Sequence, residues 1–245
     1  MKTTNERLSI SVGDAEMGAY VAKPEGEGSW PGVLLFMEIF GINEHIRSVI
    51  DRVAAEGYVV LAPDVFHRSA AGIELAYDEA GLTRGIELMS ATKAEELLAD
   101  IGAAIEALKA RSDVGGSGIG AMGFCFGGHL AFRTACEFPI KATVSFYGGG
   151  IPAAPGSGGG PATIDRTSEI EGKILCLFGD QDDYIPAADV DQIRGALDLA
   201  DTDYEIVVYP GVGHGFFCDV REGYDEKSAK DAWAKLTKLF AAELP

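Results

Sequence analysis

The chain has 245 residues, 47% of them hydrophobic, which is enough apolar material for one buried core and too much for a disordered protein. Its formal net charge of −18 argues against binding to nucleic acid or to an anionic membrane, because phosphate contacts need clustered Lys and Arg. No apolar run reaches the length of a membrane span or of a signal-peptide core, so we expect neither segment.

The first strands of a sheet are predicted near the N-terminus. Residues 7–12 and 17–24 alternate polar and apolar side chains on either side of a short turn, which is typical of an antiparallel pair. Residues 31–38 and 58–64 are apolar almost throughout, as expected for strands that are buried on both faces.

The segments between and after these two strands show the helical spacing of apolar residues. Residues 43–57 predict a helix that has Asn43 as its N-cap and Gly57 as its C-cap. Residues 73–111 predict further helices, most clearly over 92–111.

Strands and helices alternate over the second half of the chain, interrupted by a glycine- and proline-rich loop over 148–165. This alternation predicts a single α/β domain over residues 1–245, with a mainly parallel central sheet and helices on both faces. The predicted strands cover 117–124, 141–148, 173–180 and 204–211, and the predicted helices cover 127–138, 187–200 and 226–244.

Reactive side chains follow three of the predicted strands. Cys125 follows one strand, His214 follows the last strand, and three carboxylates, Asp180, Asp182 and Asp183, follow the strand between them. Function in open parallel sheets gathers at these carboxyl ends. A thiol, an acid and a histidine in this chain order match the nucleophile–acid–histidine order of the α/β-hydrolase arrangement.

The segment GFCFG around Cys125 fits a nucleophile elbow, G-x-Nu-x-G, with cysteine in place of serine. Gly123 and Gly127 lack Cβ atoms, so the strand and helix on either side of the turn can approach closely. The turn would place the thiol at a helix N-terminus, where the helix dipole favours a thiolate. The N–H groups of Phe126 and Ile39 are the candidate oxyanion donors.

Four segments together resemble the dienelactone hydrolase family of α/β-hydrolases: MEIFGINEHIRSVIDRVAAEGYVVLAPDVFHR, GFCFGG, GDQDDYIP and GHGF. The resemblance runs from about residue 8 to the final helix. It implies that Cys125 is the nucleophile, Asp182 the triad acid and His214 the base. The family pattern for the acid, G-x-x-D-x-x-hydrophobic-proline, is matched here by Gly179, Asp182, Ile185 and Pro186.

The same resemblance implies a hydrolase of carboxylic esters or lactones that works through a thioester acyl-enzyme. Its substrate would be a small molecule, and we expect a monomer or weak dimer that needs no cofactor. The four cysteines form no CxxC pair and predict a reduced protein in the cytoplasm.

Glu38 stands at the end of a buried strand, beside the candidate oxyanion donor Ile39. A carboxylate near the Cys125 thiol would favour its protonated form by like-charge repulsion. We hypothesise that Glu38 keeps the resting thiol protonated until substrate displaces it, and the resemblance supports a glutamate here.

Substrate recognition is predicted to involve Arg84, Arg221 and Tyr147. The family meets the carboxylate of a dienelactone with arginines, and Arg84 lies in the matching region. The segment GHGFFCDVREGYD departs from the family pattern, because it puts Cys218 early and Arg221 later. Tyr147 occupies a family-like position that could line the site.

Two other functions fit the same cysteine: a broad thiol esterase or thioesterase, and a non-catalytic redox sensor. Gly118, Gly120 and Gly123 match GxGxxG, but we expect no strand before the first glycine and hence no dinucleotide site. The histidines show neither HxH nor HExxH spacing, so we expect no metal, and three of them are interpreted as structural or surface residues: His45, His67 and His129.

Overall fold

A computed structural model describes residues 1–154, 156 and 158–245. In this part of the chain eight strands form one sheet. They are β1 (Thr3–Val12), β2 (Ala15–Pro24), β3 (Trp30–Phe36), β4 (Val59–Pro63), β5 (Val114–Phe124), β6 (Ala142–Phe146), β7 (Lys173–Gly179) and β8 (Tyr204–Tyr209). Their order is β1-β2-β4-β3-β5-β6-β7-β8; β2 pairs antiparallel with both β1 and β4, and the other pairs are parallel. The predicted mainly parallel sheet is therefore confirmed.

The helices of the described residues are α1 (Glu44–Ala55), α2 (His67–Ala70), α3 (Glu79–Ser90), α4 (Ala94–Lys109), α5 (Phe126–Glu137), α6 (Ala187–Leu199) and α7 (Glu226–Glu243). A 3-10 helix at Thr163–Glu169 ends the glycine-rich loop, where the sequence predicts no helix. Both this helix and α2 are too short to show a helical repeat of apolar residues. Across the described ranges, no helix combines the length and apolarity that crossing a bilayer requires.

Burial explains why the central strands are mostly apolar. Every residue of β4 and of β6 is buried. Leu34, Leu61 and Val144, on three different strands, are 0% exposed. Parallel strands that are covered on both faces have no solvent side on which polar residues would be favoured.

The start of α1 confirms the predicted cap, and its end differs from the prediction by one residue. The Asn43 side chain accepts a hydrogen bond from the Ile46 N–H at 3.1 Å. The C-cap is Glu56, in a right-handed conformation. Gly57 follows it with φ +107°, so the glycine makes the turn after the cap, where a residue without Cβ is favoured.

Strand β5 begins at Val114, three residues before the predicted start, so the expectation that no strand precedes Gly118 is wrong. Val114 pairs with Trp30 of β3, and the Trp30 N–H donates to the Asp113 carbonyl at 3.0 Å. Pairing with a neighbouring strand outweighs the low strand propensity of the glycines in this segment. Gly118 and Gly120 thus lie inside the strand and not at a strand-to-helix turn, which also disfavours a dinucleotide fingerprint.

The turn between β5 and α5 has the geometry of an elbow. Cys125 has φ +56° and ψ −120°, an unusual conformation for a residue with a side chain. Its N–H donates to the Phe146 carbonyl at 3.0 Å. A Cβ at Gly123 would collide with the Gly127 carbonyl, and one at Gly127 would collide with the Phe36 carbonyl. The two glycines therefore allow α5 to start directly against the sheet.

We expect Gly127→Ala to lower the free energy of unfolding by at least about 3 kcal/mol, because the added methyl group meets backbone atoms of β3 that cannot turn aside. Urea denaturation at neutral pH measures the change. Gly195→Ala, at a position in α6 with no atom within 4 Å of the new Cβ, is the matched control. That control should be stabilised, by up to about 1 kcal/mol, through its higher helix propensity. Equal midpoints for Gly127→Ala and the unmodified protein would show that the turn tolerates a side chain.

Candidate active site

Three side chains meet at the carboxyl edge of the sheet, as the strand order predicts. Cys125 lies at the elbow, Asp182 follows β7, and His214 follows β8. The Nδ1 atom of His214 lies 2.7 Å from Oδ2 of Asp182, and the Cys125 sulfur is close enough to His214 to raise its pKa. The other carboxylate oxygen of Asp182 accepts the Tyr184 N–H at 2.9 Å. The carboxylate is therefore fixed on both of its oxygens.

The hydrogen bonds define how His214 can act. A carboxylate accepts, so Nδ1 carries the ring proton and donates a hydrogen bond to Asp182, and Nε2 is the ring nitrogen left for the thiol. Burial alone would lower the pKa of His214, but the sulfur of Cys125 and the carboxylate of Asp182 outweigh burial and raise it. Such a site favours an imidazole that takes a proton from a neighbouring thiol.

Two tyrosine rings hold the imidazole edge-on. The Tyr147 ring lies 5.0 Å from that of His214, and the Tyr184 ring lies 5.1 Å from it. Tyr147 is fully buried, whereas Tyr184 is exposed at the cavity mouth. The sequence predicts that Tyr147 lines the site, but it does not line the cavity, and its ring packs against His214 from the core.

The two residues predicted to carry oxyanion donors, Phe126 and Ile39, both line the cavity that contains Cys125. Phe126 is the first residue of α5, and Ile39 lies shortly after β3. Gly85 of α3 packs so closely on this segment that a Cβ there would lie 2.6 Å from the Ile39 carbonyl. Helix α3 therefore fixes the position of the Ile39 backbone.

Glu38 is 0% exposed and has a partner on each carboxylate oxygen. The Tyr77 hydroxyl donates to Oε2 at 2.8 Å, and Nη1 of Arg221 lies 3.3 Å from Oε1. Burial, followed by the Glu38 charge, raises the pKa of Tyr77 and also that of Cys218, the latter to about 11. Tyr77 and Cys218 therefore stay protonated at neutral pH, and Arg221 balances the buried carboxylate.

A cavity of about 400 Å³ opens beside Cys125 and His214, and most of its walls are apolar. Its lining residues are Ile39, Phe40, Leu82, Ile86, Met89, Cys125, Phe126, His129, Gly149, Gly150, Ala153, Gly156, Tyr184, His214 and Arg221. Within the described ranges, no group of three or more His, Cys, Asp or Glu side chains is arranged to hold a metal ion.

The two arginines predicted for substrate binding are separated. Arg221 lines the cavity. Arg84 lies on α3 with its side chain 47% exposed and paired to Glu87 at 2.8 Å, and it does not line the cavity. The part of the cavity wall that α3 forms consists instead of the apolar side chains of Leu82, Ile86 and Met89. These residues occupy one face of the helix, and Arg84 lies on another face.

The sequence predicts a structural or surface role for His129. The residue is buried and joins α5 to the glycine-rich loop, which is a structural role, and it also lines the cavity. Nδ1 lies 2.8 Å from the Gly149 carbonyl, and Nε2 lies 2.7 Å from the Thr163 hydroxyl. The carbonyl can only accept, so Nδ1 is protonated and Nε2 accepts from the threonine. Neutral His129 thereby satisfies both of its ring nitrogens.

Two features of the site are not predicted from the sequence: the Tyr77 partner of Glu38 and the cavity wall formed by α3. Tyr77, the partner of Glu38, lies outside any motif, and only the fold brings it there. The cavity wall of α3 had a usable signal, since Leu82, Ile86 and Met89 are spaced i, i+4 and i+7 along one helix face.

Comparisons with known proteins agree with the resemblance in the sequence. A model of the "Dienelactone hydrolase family" matches residues 17–244. The "Putative carboxymethylenebutenolidase" of Synechocystis sp. is 41% identical over 100% of this chain and 98% of its own. A protein of the same name from Salmonella typhimurium is 35% identical over 94% of this chain and 84% of its own.

A solved structure gives the same result for the fold. The crystal structure of a "Putative Dienelactone Hydrolase" from Klebsiella pneumoniae superposes with a TM-score of 0.88. It is 31% identical, and the match covers 98% of this chain and 99% of that one. The predicted α/β-hydrolase fold is therefore confirmed.

We predict that His129 makes the protein lose stability as the pH falls. Burial lowers the pKa of His129 to about 4, from 6.5 for an exposed histidine. Between these values the unfolded chain binds a proton that the folded chain does not, so stability is full above about pH 6.5 and declines toward about pH 4. At pH 5 the loss amounts to about 2 kcal/mol.

The comparison is between the unmodified protein and His129→Gln, whose carboxamide can donate and accept hydrogen bonds but does not titrate. Urea denaturation of both at pH 7 and pH 5 should show a loss about 2 kcal/mol smaller in the variant. Equal losses in the two proteins would exclude the buried neutral histidine as the cause.

Proposed function

Since the chain belongs to the dienelactone hydrolase family of hydrolases, we propose that it cleaves carboxylic esters or lactones through Cys125, His214 and Asp182. The observation that carries this proposal is the Cys125 thiol beside an imidazole that is hydrogen-bonded to the Asp182 carboxylate, at the edge of an apolar cavity. A row of this kind is the arrangement that activates a nucleophile for acyl transfer.

In the first half-reaction, His214 Nε2 takes the thiol proton while the Cys125 sulfur attacks the carbonyl carbon. The carbonyl oxygen becomes an oxyanion, which the N–H groups of Phe126 and Ile39 stabilise. When the carbon–oxygen bond of the ester breaks, His214 gives its proton to the departing alkoxide. An alcohol and a thioester on Cys125 result; with a lactone, both groups stay on one molecule.

In the second half-reaction, neutral His214 takes a proton from water as the water oxygen attacks the thioester. The carbon–sulfur bond then breaks, the sulfur recovers the proton from His214, and a carboxylic acid leaves. Asp182 stabilises the imidazolium of both steps and holds Nε2 toward the sulfur, because its carboxylate is itself fixed by the Tyr184 N–H.

Glu38 acts on this cycle through its charge. Its carboxylate is fully buried beside Arg221, a residue that also lines the cavity. A buried negative charge near the thiol opposes thiolate formation, and Arg221 reduces that effect. We propose that Glu38 sets how readily the resting thiol loses its proton.

We expect Cys125→Ala to lower kcat/KM for a chromogenic ester by at least about 10³-fold, and Asp182→Asn by about 10²-fold or more. Asp183→Asn is the matched control, because the neighbouring carboxylate is exposed and its removal should leave the rate unchanged. Steady-state kinetics at neutral pH measures all three. Wild-type rates for Cys125→Ala would end the proposed thiol mechanism.

Glu38→Gln should allow the Cys125 thiolate to form at lower pH, because the substitution removes the buried negative charge. Thiolate absorbance followed during a pH titration measures this change. The same titration in Cys125→Ala, with and without Glu38→Gln, gives the signal of the other three thiols for subtraction. A Cys125 titration that Glu38→Gln leaves unmoved would remove this role.

A further inference from the structure

Tyr147 follows β6 and lies beside Cys125 at the carboxyl edge of the sheet. Phe124 of β5 and Phe146 of β6 are paired in register, so Cys125 and Tyr147 are the next residues of two neighbouring strands. The Cys125 N–H donates to the Phe146 carbonyl at 3.0 Å, which joins the two turns. Because β6 lies between β5 and β7, Tyr147 lies between the strand ends that carry Cys125 and Asp182.

The backbone of Tyr147 has a conformation that residues with side chains seldom adopt. Among the described residues other than glycine, a positive φ occurs at Cys125, at Tyr147 with +37°, and at Asp201. Aspartate tolerates this region, whereas a bulky aromatic residue is strained in it. The Tyr147 N–H donates to the Leu177 carbonyl at 2.7 Å, which helps to hold the strained turn. Strain of this kind is typical of functional sites.

The ring of Tyr147 is fixed, yet its hydroxyl lacks a partner. The ring packs edge-on against His214 at 5.0 Å and against Phe216 at 5.3 Å, and the residue is 0% exposed. Among the described residues, none forms a hydrogen bond with this buried hydroxyl. An unsatisfied buried donor is disfavoured in free energy, and in a native protein it indicates a role that offsets this cost.

The hydroxyl of Tyr147 stays protonated, and the groups near it carry or can gain negative charge. Burial raises the pKa of Tyr147 well above its usual value, and the charges of Glu38, Cys218 and Cys125 raise it further. Both carboxylate oxygens of Glu38 already have partners. The pKa of Cys218 is raised to about 11, so this residue remains a thiol at neutral pH. Cys125 is therefore the group that can become a new acceptor.

The reaction gives Cys125 a negative charge at two points. The sulfur gains it when its proton moves to His214 for the attack on the ester, and again when the carbon–sulfur bond of the thioester breaks. A thiol is a weak acceptor, whereas hydrogen bonds to an ionised group are about twice as strong as neutral ones. A donor that finds its acceptor only in these states stabilises them without stabilising the resting thiol.

We propose that the hydroxyl of Tyr147 donates a hydrogen bond to the Cys125 thiolate, which makes Tyr147 a further catalytic residue of this hydrolase. The proposal rests on the proposed ester-hydrolase function and adds a group to the same site. Its effect is opposite to that of Glu38, whose charge disfavours the thiolate.

Tyr147→Phe tests the proposal, because it keeps the ring that packs against His214 and removes only the hydroxyl. We expect kcat/KM for 4-nitrophenyl hexanoate to fall about tenfold or more. The pH at which alkylation of Cys125 by iodoacetamide is half-maximal should rise by about one unit. Mass spectrometry of the peptides identifies the alkylated cysteine, and the other three are buried. The urea midpoint should stay unchanged or rise, since the lost hydroxyl has no partner among the described residues.

Tyr209→Phe is the matched control. The Tyr209 ring packs against the same Phe216 at 5.1 Å, but its hydroxyl donates to Asp231 at 2.9 Å. This variant should keep the kcat/KM and the alkylation profile of the unmodified protein. Its urea midpoint should fall slightly, because a hydrogen bond is lost.

The outcomes separate this proposal from the proposed function. An alkylation profile that Tyr147→Phe leaves unmoved would overturn the role of Tyr147, whatever happens to the rate. A clearly lower urea midpoint for Tyr147→Phe would show that the hydroxyl is already bonded in the resting protein, and equal effects of Tyr209→Phe would assign the change to packing around Phe216; either result would also overturn it. Absence of Cys125-dependent ester hydrolysis in the unmodified protein would instead overturn the proposed function, and the catalytic role of Tyr147 would fall with it.

Discussion

The backbone of Cys125 is the constraint on which the rest of the site depends. A side chain at φ +56° is costly in free energy, and the surrounding structure holds it there through the Phe146 carbonyl and two glycines that permit close packing. In return, the sulfur stands at the N-terminus of α5 and within reach of His214. The same turn makes Phe126 the first residue of α5 and brings it to the cavity wall, where we propose its N–H as an oxyanion donor. If the turn adopted an ordinary backbone conformation, both the sulfur and the Phe126 N–H would move away from these positions.

Charge is arranged differently inside the site and over the surface. The molecule as a whole is strongly acidic, yet each buried charge near the cavity has a partner: Asp182 with His214, and Glu38 with Arg221. Pairing lowers the free-energy cost of burying these charges, because isolated ions in a dry interior are strongly disfavoured. The negative charge that develops in the transition state of acyl transfer would then be met by the proposed oxyanion donors.

Sequence patterns were sufficient to predict the parallel sheet, to identify the family and to bring Cys125, His214 and Asp182 together at one edge of the sheet. Strand ends and elbow glycines are signals that a short segment carries by itself. They failed where a partner distant in the chain decides the outcome. Val114 extends β5 because Trp30 pairs with it, despite the glycines that follow. Tyr77 reaches Glu38 only through the packing of a loop that has no motif. Arg84 has the right position in the chain, but the helix turns it away from the cavity.

The central claim is that Cys125 becomes acylated during turnover, and mass spectrometry of the acid-quenched protein tests it most directly. The protein is mixed with excess 4-nitrophenyl hexanoate, quenched in acid during the first turnovers, and digested for peptide mapping. One hexanoyl group on the peptide that contains Cys125, absent from Cys125→Ala, is the predicted result. A hexanoyl group on a different residue, or turnover with no acylated protein at any time, would contradict the claim.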